Sequence, residues 1–598
     1  MKKLSPSSAW LASAALGVFV LAPLTQALAS SLDTLVVTAS RTPQTVNQSL
    51  ASVTVITREE IERLQALSLV DLLRSRAGID ITSNGAFGKT TGLSSRGTNS
   101  NHTLLLVDGV RMGSASSGGA SWQYLPASEI DRVEIVRGPR TSLYGSDAIG
   151  GVIQVFTRRG QVSDPKLNAF AGAGSFGTQK YGASVAGGNK TLLYSLGVSR
   201  FDTDGINVRD SGDDGRDGYD NTSFTGNFEY RLSQATRFTT SLMHSSGSSE
   251  YDPGADDHQE FVHSAVRVAW HQQLTNQWGS ELAVAQSRDE SEAFDRWPGY
   301  FNTRMDQLSW INTLQLGIHK IQVGVDALKE QLDSSTNYDE DSRNNLGAFA
   351  QLQVPFGQLS SEFSLRFDDN EQFGNKTTGQ AGLGYWVSPE LSLRSSAGTA
   401  FVVPTFNQLY WPDSGWGGGN PDLKPEQSTS YELGAYYALD GWFVDLAVFH
   451  TDINDLIAGF PAENINEARI QGLEAEAGIR HNGLNLVAAA TLLKPENRET
   501  GKDLRRRARQ TYRVDVDQQW QMLSAGLSVI HRGKSYDNAT NTTEIDGYTL
   551  LNLRTAWQIN PAFSLQASVE NVLDKDYTTA VDYNEPGRAA YLTLVYQQ

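Results

Sequence analysis

The chain reads as a membrane-spanning β-barrel preceded by a compact mixed α/β domain. Three observations predict this. The N-terminus carries a secretory leader: Lys2-Lys3, an apolar run from Ala9 to Leu24, and the small-x-small pattern Ala27-Leu28-Ala29. After the leader no segment approaches ~18 continuous apolar residues, which removes transmembrane helices and leaves closure of a sheet as the other way to cross a bilayer. Finally, residues 165–598 alternate apolar and polar positions, strand after strand.

In chain order, residues 1–29 are expected to be cleaved as a signal peptide, and residues 30–45 form a short extended tail. Residues 46–160 read as the α/β domain. There Val53-Thr54-Val55-Ile56 is a strand, and Thr57 caps a helix with Glu60 as capping-box partner. Ile61, Leu64 and Leu67 supply its apolar face. Ser68 and Asp71 open a second short helix that Gly78 closes. Thr103 to Val107 is a strand turning at Asp108-Gly109, and Arg132 to Val136 and Val152 to Phe156 are further strands. From 165 onward the period is two. Phe363, Leu365 and Phe367 alternate with Ser364, Arg366 and Asp368; Trp442, Val444, Leu446 and Val448 oppose Phe443, Asp445, Ala447 and Phe449. Phe563, Leu565, Ala567 and Val569 repeat the pattern. One face suits lipid and the other a wet lumen.

Composition narrows the function classes. Formal net charge is −18, and the leader removes only two lysines, which disfavours nucleic acid as a partner. There is no cysteine, so disulfides and thiolate metal sites are excluded, and the nine histidines are dispersed. Two phosphate-like motifs fail on context. Gly88-Lys89-Thr90 ends like a P-loop, but the glycine that motif requires is Ser83, and no helix follows. Gly172-Ala173-Gly174-Ser175-Phe176-Gly177 leads into another strand at Lys180, so it reads as a hairpin turn. No nucleotide site remains, and no Ser/His/Asp or paired-carboxylate constellation can be assembled, so an enzyme is not expected.

The tail Asp33-Thr34-Leu35-Val36-Val37-Thr38-Ala39 is short and β-prone, suited to add to another protein's sheet edge or to serve as an ordinary first strand of the α/β domain. It resembles the TonB box of TonB-dependent outer-membrane receptors. Arg96-Gly97, Val107-Asp108-Gly109-Val110-Arg111, Arg137-Gly138-Pro139, Ser142, Tyr144-Gly145, Ala148 and Gly150-Gly151 resemble that family's plug signature. Ala400-Phe401 with Pro404, Asn420-Pro421-Asp422-Leu423-Lys424-Pro425-Glu426, and Glu570-Asn571-Val572-Leu573-Asp574-Lys575-Asp576-Tyr577 are similar to its barrel signatures. The resemblance covers the mature chain. It implies a barrel of about 22 antiparallel strands, roughly 20 residues per strand with its connection, holding an N-terminal plug in its lumen. It also implies outer-membrane lipid around the barrel and TonB as the periplasmic energy source. The chain departs from the family in ending Tyr596-Gln597-Gln598 where an aromatic residue is usual.

Within the family the chain is most similar to the cobalamin receptors, through the box, Ile79-Asp80-Ile81-Thr82 with Asn84-Gly85, and Arg96-Gly97-Thr98-Asn99. That subgroup resemblance implies active uptake of cobalamin or related corrinoids. It implies plug loops at roughly 83–93 and 112–122 facing the ligand, with Asn84, Ser94, Ser95 and Trp122 as contacts. A ferric-siderophore receptor is the alternative; residues 404–421 lack the histidine expected of a haem receptor. Asp204, Asp210, Asp213, Asp214, Asp217 and Asp220 crowd one loop, beside Gly212, Gly215 and Gly218, and Asp252, Asp256 and Asp257 the next. Clustered carboxylates repel unless hydrated or neutralised by a hard cation. Calcium is therefore expected, on Asp210, Asp213, Asp214, Asp217, Asp220, Asp252 and Asp256.

Overall fold

The computed structural model describes residues 36–37, 41, 44–212, 214–251, 257–413, 415 and 417–598. The leader and most of the tail, including Asp33, Thr34, Leu35, Thr38 and Ala39, lie outside the described residues, as do Asp213, Asp252 and Asp256.

Twenty-two antiparallel strands close into a barrel, the last (Ala589–Gln597) pairing with the first (Ser163–Gly174). Period-two patterning decides which face is which. Along Trp442–Ala458, Trp442, Val444, Leu446 and Val448 are exposed on the outer wall, while Asp445, Ala447 and Phe449 are buried against the lumen contents. The strand Leu359–Asn370 repeats this: Phe363, Leu365 and Phe367 face out, and Arg366 and Asp368 are buried within. At one end the strands join by tight turns such as Asp440-Gly441 and Asn482-Gly483, both residues of each at positive φ, which matches the twist of the strands. Exposed Trp278, Trp442, Trp520 and Trp557 ring this end, as expected of a membrane interface. Long connections, including 207–216, 403–425 and 571–588, lie at the other end. Strands of up to 19 residues exceed the ~9–11 that cross a bilayer, so the wall rises beyond the membrane on the long-loop side.

The plug fills the lumen. Its strands are β1 (Val36–Val37), β2 (Gln44–Thr45), β3 (Val53–Ile56), β4 (Ile79–Ser83), β5 (Thr91–Ser95), β6 (Thr103–Val107), β7 (Val110–Met112), β8 (Ile130–Arg137) and β9 (Gly151–Thr157). Its helices are α1 (Arg58–Leu64), α2 (Leu69–Leu73) and α3 (Thr141–Tyr144). A five-stranded sheet runs β3-β8-β9-β6-β7, with β4-β5 a separate hairpin. Leu69, Leu72, Leu73, Leu105, Trp122, Val133 and Val155 form its dry core.

Local expectations hold with four adjustments. Thr57 caps α1 by accepting from the Glu60 amide, but the Glu60 carboxylate turns to Arg76 (2.7 Å) instead of completing the box. Leu67 lies beyond the end of α1. Gly78 does not close α2, which stops at Arg74; it sits four residues further on, at φ +73, where an added Cβ would lie 2.2 Å from Glu474 Oε1. The barrel begins at Ser163, slightly before the expected 165. The glycine-rich segment 172–177 is a hairpin end, Phe176 and Gly177 both at positive φ.

Candidate functional site: tail, plug seat and mouth

Three zones of the plug touch the barrel in chemically different ways. The first follows the tail. β1 pairs with β2 through Val36–Thr45 and Val37–Gln44. Four residues after β1, Arg41 binds Asp326 (3.1 Å) on the barrel wall and its guanidinium lies over the rings of Tyr144 and Phe349 (4.7 and 4.8 Å). Asp326 is also held by Arg366 (2.8 Å).

The second zone is a buried ionic seat. Arg96 meets Glu474 through two hydrogen bonds (2.9 and 2.8 Å) and Glu432 through a third (2.6 Å). Arg137 reaches the same Glu474 (3.1 Å). From the wall, Arg394 binds Glu432 (3.2 Å) and Asp445 (2.6 Å), and Ser52 donates to Glu432 (2.8 Å). Burial by itself would lower the pKa of Arg96; Glu474 and Glu432 outweigh that and raise it, so the cation is fixed. Asp80 and Arg532 form a further bidentate pair, and His102 meets Glu426, which also accepts from the Ile457 amide. The loop residue Arg507 donates to Gly97 O and Asn99, its pKa pushed down by burial to about 10. The signature arginines Arg96 and Arg137, and Glu426 of the barrel signature, are thus seat residues. Asn571 of the last signature organises the 571–588 loop, donating to the carbonyls of Lys575 and Pro586.

The third zone is the mouth. The 84–90 hairpin rises to the long-loop end: Phe87 packs with Phe176 and Phe201, and Gly88, at φ +76, lies flat on Tyr219, where a Cβ would intrude at 2.0 Å. Lys89, set aside with the failed P-loop, is buried here and donates to the carbonyls of Phe87, Asp217 and Gly218 (3.1 Å each). Burial pushes its pKa down to about 8 against the pull of Asp217 and Glu250. The 113–121 loop meets α4 (Phe406–Tyr410), whose Phe406 and Asn407 amides donate to Ala115 O and Ser116 O. Above it Phe301 stacks on Trp411 (6.0 Å), with Tyr338 edge-on.

Of the expected ligand contacts, only Asn84 stands on an apical hairpin, half-buried. Ser94 and Ser95 are buried because β5 runs down into the plug; Ser94 pairs with Asp80 and Ser95 donates to Gly150 O. Trp122 is wholly enclosed, its indole filling the plug core. None of these three reaches the mouth in this conformation. The loop carboxylates are likewise dispersed: Asp217 accepts from the Val208 amide, Asp220 pairs with Arg200, Asp210 accepts from Asn584, and Asp214 is exposed. Among the described residues no three acidic or histidine side chains converge on a metal position.

This architecture is that of a plugged outer-membrane receptor, and similarity to known proteins decides the family. Residues 161–572 match the model "TonB dependent receptor-like, beta-barrel" and residues 45–152 the "TonB-dependent Receptor Plug Domain". The chain belongs to the TonB-dependent receptors. It is an outer-membrane protein of a family of transporters and receptors. It is 32% identical to the vitamin B12 transporter BtuB of Photobacterium profundum, over 95% of this chain and 96% of that protein. With the BtuB of Vibrio cholerae it shares 31%, over 94% and 95%. In fold it resembles the siderophore receptor PirA of Acinetobacter baumannii (TM-score 0.80, 18% identity, 92% of this chain, 99% of that one). It also resembles the ferric enterobactin receptor PfeA of Pseudomonas aeruginosa (TM-score 0.79, 19% identity, 91% and 98%).

Proposed function

We propose that this receptor imports cobalamin or a related corrinoid, driven by TonB acting on the Asp33–Ala39 box. The observation that carries the reading is end-to-end similarity, above 30% identity, to proteins named as vitamin B12 transporters. The siderophore receptors match at 20% identity or less, a level that reports the shared fold. Long loops capture the ligand over the apical hairpins. The box then pairs as a strand with TonB, and force on the tail reaches the plug through Arg41. No chemical step on the substrate is required, and none is assigned. Equilibrium binding of the purified protein to cyanocobalamin against ferric siderophores tests the reading. Saturable corrinoid binding with uptake lost in cells lacking TonB is expected; binding of the siderophores alone would overturn it.

Calcium in the two acidic loops is a separate proposal, supported by the density of aspartates in the sequence. The described carboxylates do not themselves form a site, so no step is routed through the ion. Calcium is expected to raise ligand affinity, and ligand to raise calcium affinity by the same factor. Titration with and without chelator checks this, together with Asp213, Asp217 and Asp252 replaced by Asn. Affinity indifferent to calcium in both proteins would leave solvated acidic hairpins.

A further inference from the structure

The plug is not anchored evenly. On the side of β4, β5 and β8 it is fastened to the wall by buried ion pairs: Arg96 and Arg137 to Glu474, Arg96 to Glu432, and Asp80 to Arg532. On the opposite side the plug sheet ends at β7. This edge strand is joined to β6 by only three residue pairs, Leu105–Met112, Leu106–Arg111 and Val107–Val110. Its outer edge is closed by neutral side chains of the wall. Gln307 accepts from the Arg111 amide and donates to the Arg111 carbonyl (3.1 Å each), and Ser287 donates to that carbonyl (2.7 Å).

Beside and below β7 lies a cavity of about 1260 Å³ between plug and wall. It is lined at its lower end by Lys190, Ser233 and Gln234 of the tight turns, and at its upper end by Arg111, Asp147 and Glu330. A much smaller cavity, about 30 Å³, continues upward to the 113–118 loop and Thr405 and shares those same three residues. The periplasmic side therefore opens into the barrel almost to the ligand mouth, and β7 with the Arg111 side chain forms the ceiling.

Arg111 is also tied to the tail. Its guanidinium donates to Asp147 (2.8 Å), to the Tyr144 carbonyl (3.1 Å) and to the Ser146 carbonyl (2.7 Å), gripping the turn that follows α3. The Tyr144 ring is the one covered by Arg41, directly behind the box.

Resting on the proposed TonB-driven uptake, we infer that the substrate crosses on the β7 side of the plug, through this cavity, and that β7 is the gate, latched by Arg111 and released through Tyr144 when the tail withdraws Arg41. The charged seat keeps the rest of the plug in the lumen while this edge moves. A route needs β7 to unpair and the 113–118 loop above it to part from Thr405, because the space beneath β7 already exists.

The chain has no cysteine, so the gate can be tested by cross-linking. Leu105→Cys with Met112→Cys joins directly paired residues of β6 and β7, a separation that a disulfide spans. Ile81→Cys with Leu93→Cys joins the β4-β5 hairpin in the same way and serves as control. Oxidation of the first pair is expected to leave cyanocobalamin binding intact and cut uptake at least ten-fold, with recovery on reduction; the control pair transports in both states. In a second arm, Ser309→Cys on the cavity wall is capped with a bulky maleimide, with the same split between binding and uptake expected. Full uptake by the oxidised β6–β7 protein, or by the fully capped Ser309→Cys protein, would overturn the inference. Absence of cobalamin uptake by the parent chain would instead overturn the substrate reading, and the same pairs would then be compared with a ferric siderophore.

Discussion

Glu474 receives two plug arginines at once, with the side chains of all three residues almost wholly buried. A buried pair contributes little net stability, but removing one partner strands the other's charge, at a cost of about 3–5 kcal/mol. Glu474→Ala should therefore loosen the seat and not merely delete a contact. We expect a lower urea midpoint for plug release and easier passage of small solutes, measured as leak conductance in planar bilayers. An unchanged midpoint would mean that the seat relaxes around the loss. Lys89 gives a pH signature. Its folded pKa, about 8, lies below its ordinary value of 10.5. Below pH 8 both folded and unfolded chains hold the proton, and the folded state bears the cost of a buried charge. As pH rises from 8 toward 10.5 the folded lysine is already neutral while the unfolded one is still protonated, so stability grows. The urea midpoint of the wild type should rise relative to Lys89→Met over that window, and parallel profiles would refute the assignment.

At the scale of elements, the tail and plug helices show what local sequence can and cannot specify. If the box acts by strand addition, Leu35→Pro removes a donor and fixes φ, so uptake should vanish while ligand binding stays near normal. Equal loss of both would make the tail part of the fold. Asp326→Asn removes the carboxylate charge that pairs with Arg41 and should expose the tail to protease without ligand; unchanged cleavage would show that ring stacking alone secures it. The caps at Thr57 and Ser68, the turn at Asp108-Gly109 and the outward rows of the barrel were legible because each depends on neighbours within a few residues. The partners of Arg96 were not, since Glu474 lies 378 residues along the chain and only barrel closure brings it near. Glu60 and Gly78 depart from local rules for the same reason: Arg76 draws the Glu60 carboxylate away, and Glu474 crowds Gly78. Resemblance of loops points to Ser94, Ser95 and Trp122, but the first two end a strand that descends into the plug and Trp122 turns into the plug core. Lys89 left no local signal, since the carbonyls of Asp217 and Gly218 that it meets lie more than 120 residues along the chain.

The whole molecule is a closed wall around a separately cored plug, and the two halves depend on each other unequally. Every barrel strand finds both neighbours within residues 163–597, the last returning to the first, so no edge waits for the plug to complete it. The plug's dry core is drawn almost entirely from residues 56–155, with Met243, Ala265 and the partly buried Ala285 contributed by the wall. Polar contacts between the two are numerous but lie on faces that water can reach once they part: Glu432, Glu474, Asp445 and Arg394 all point into the lumen and would be hydrated, not stranded, without the plug. Deleting residues 46–160 while keeping residues 1–45 should therefore still yield an inserted barrel with heat-modifiable migration on gels. Wide, persistent conductance steps should replace the near-silence of the full chain, and ligand binding should be lost because the apical hairpins are gone. A deletion protein that fails to insert would show that the plug templates barrel closure. One that inserts yet stays electrically silent would show that the long loops seal the mouth unaided.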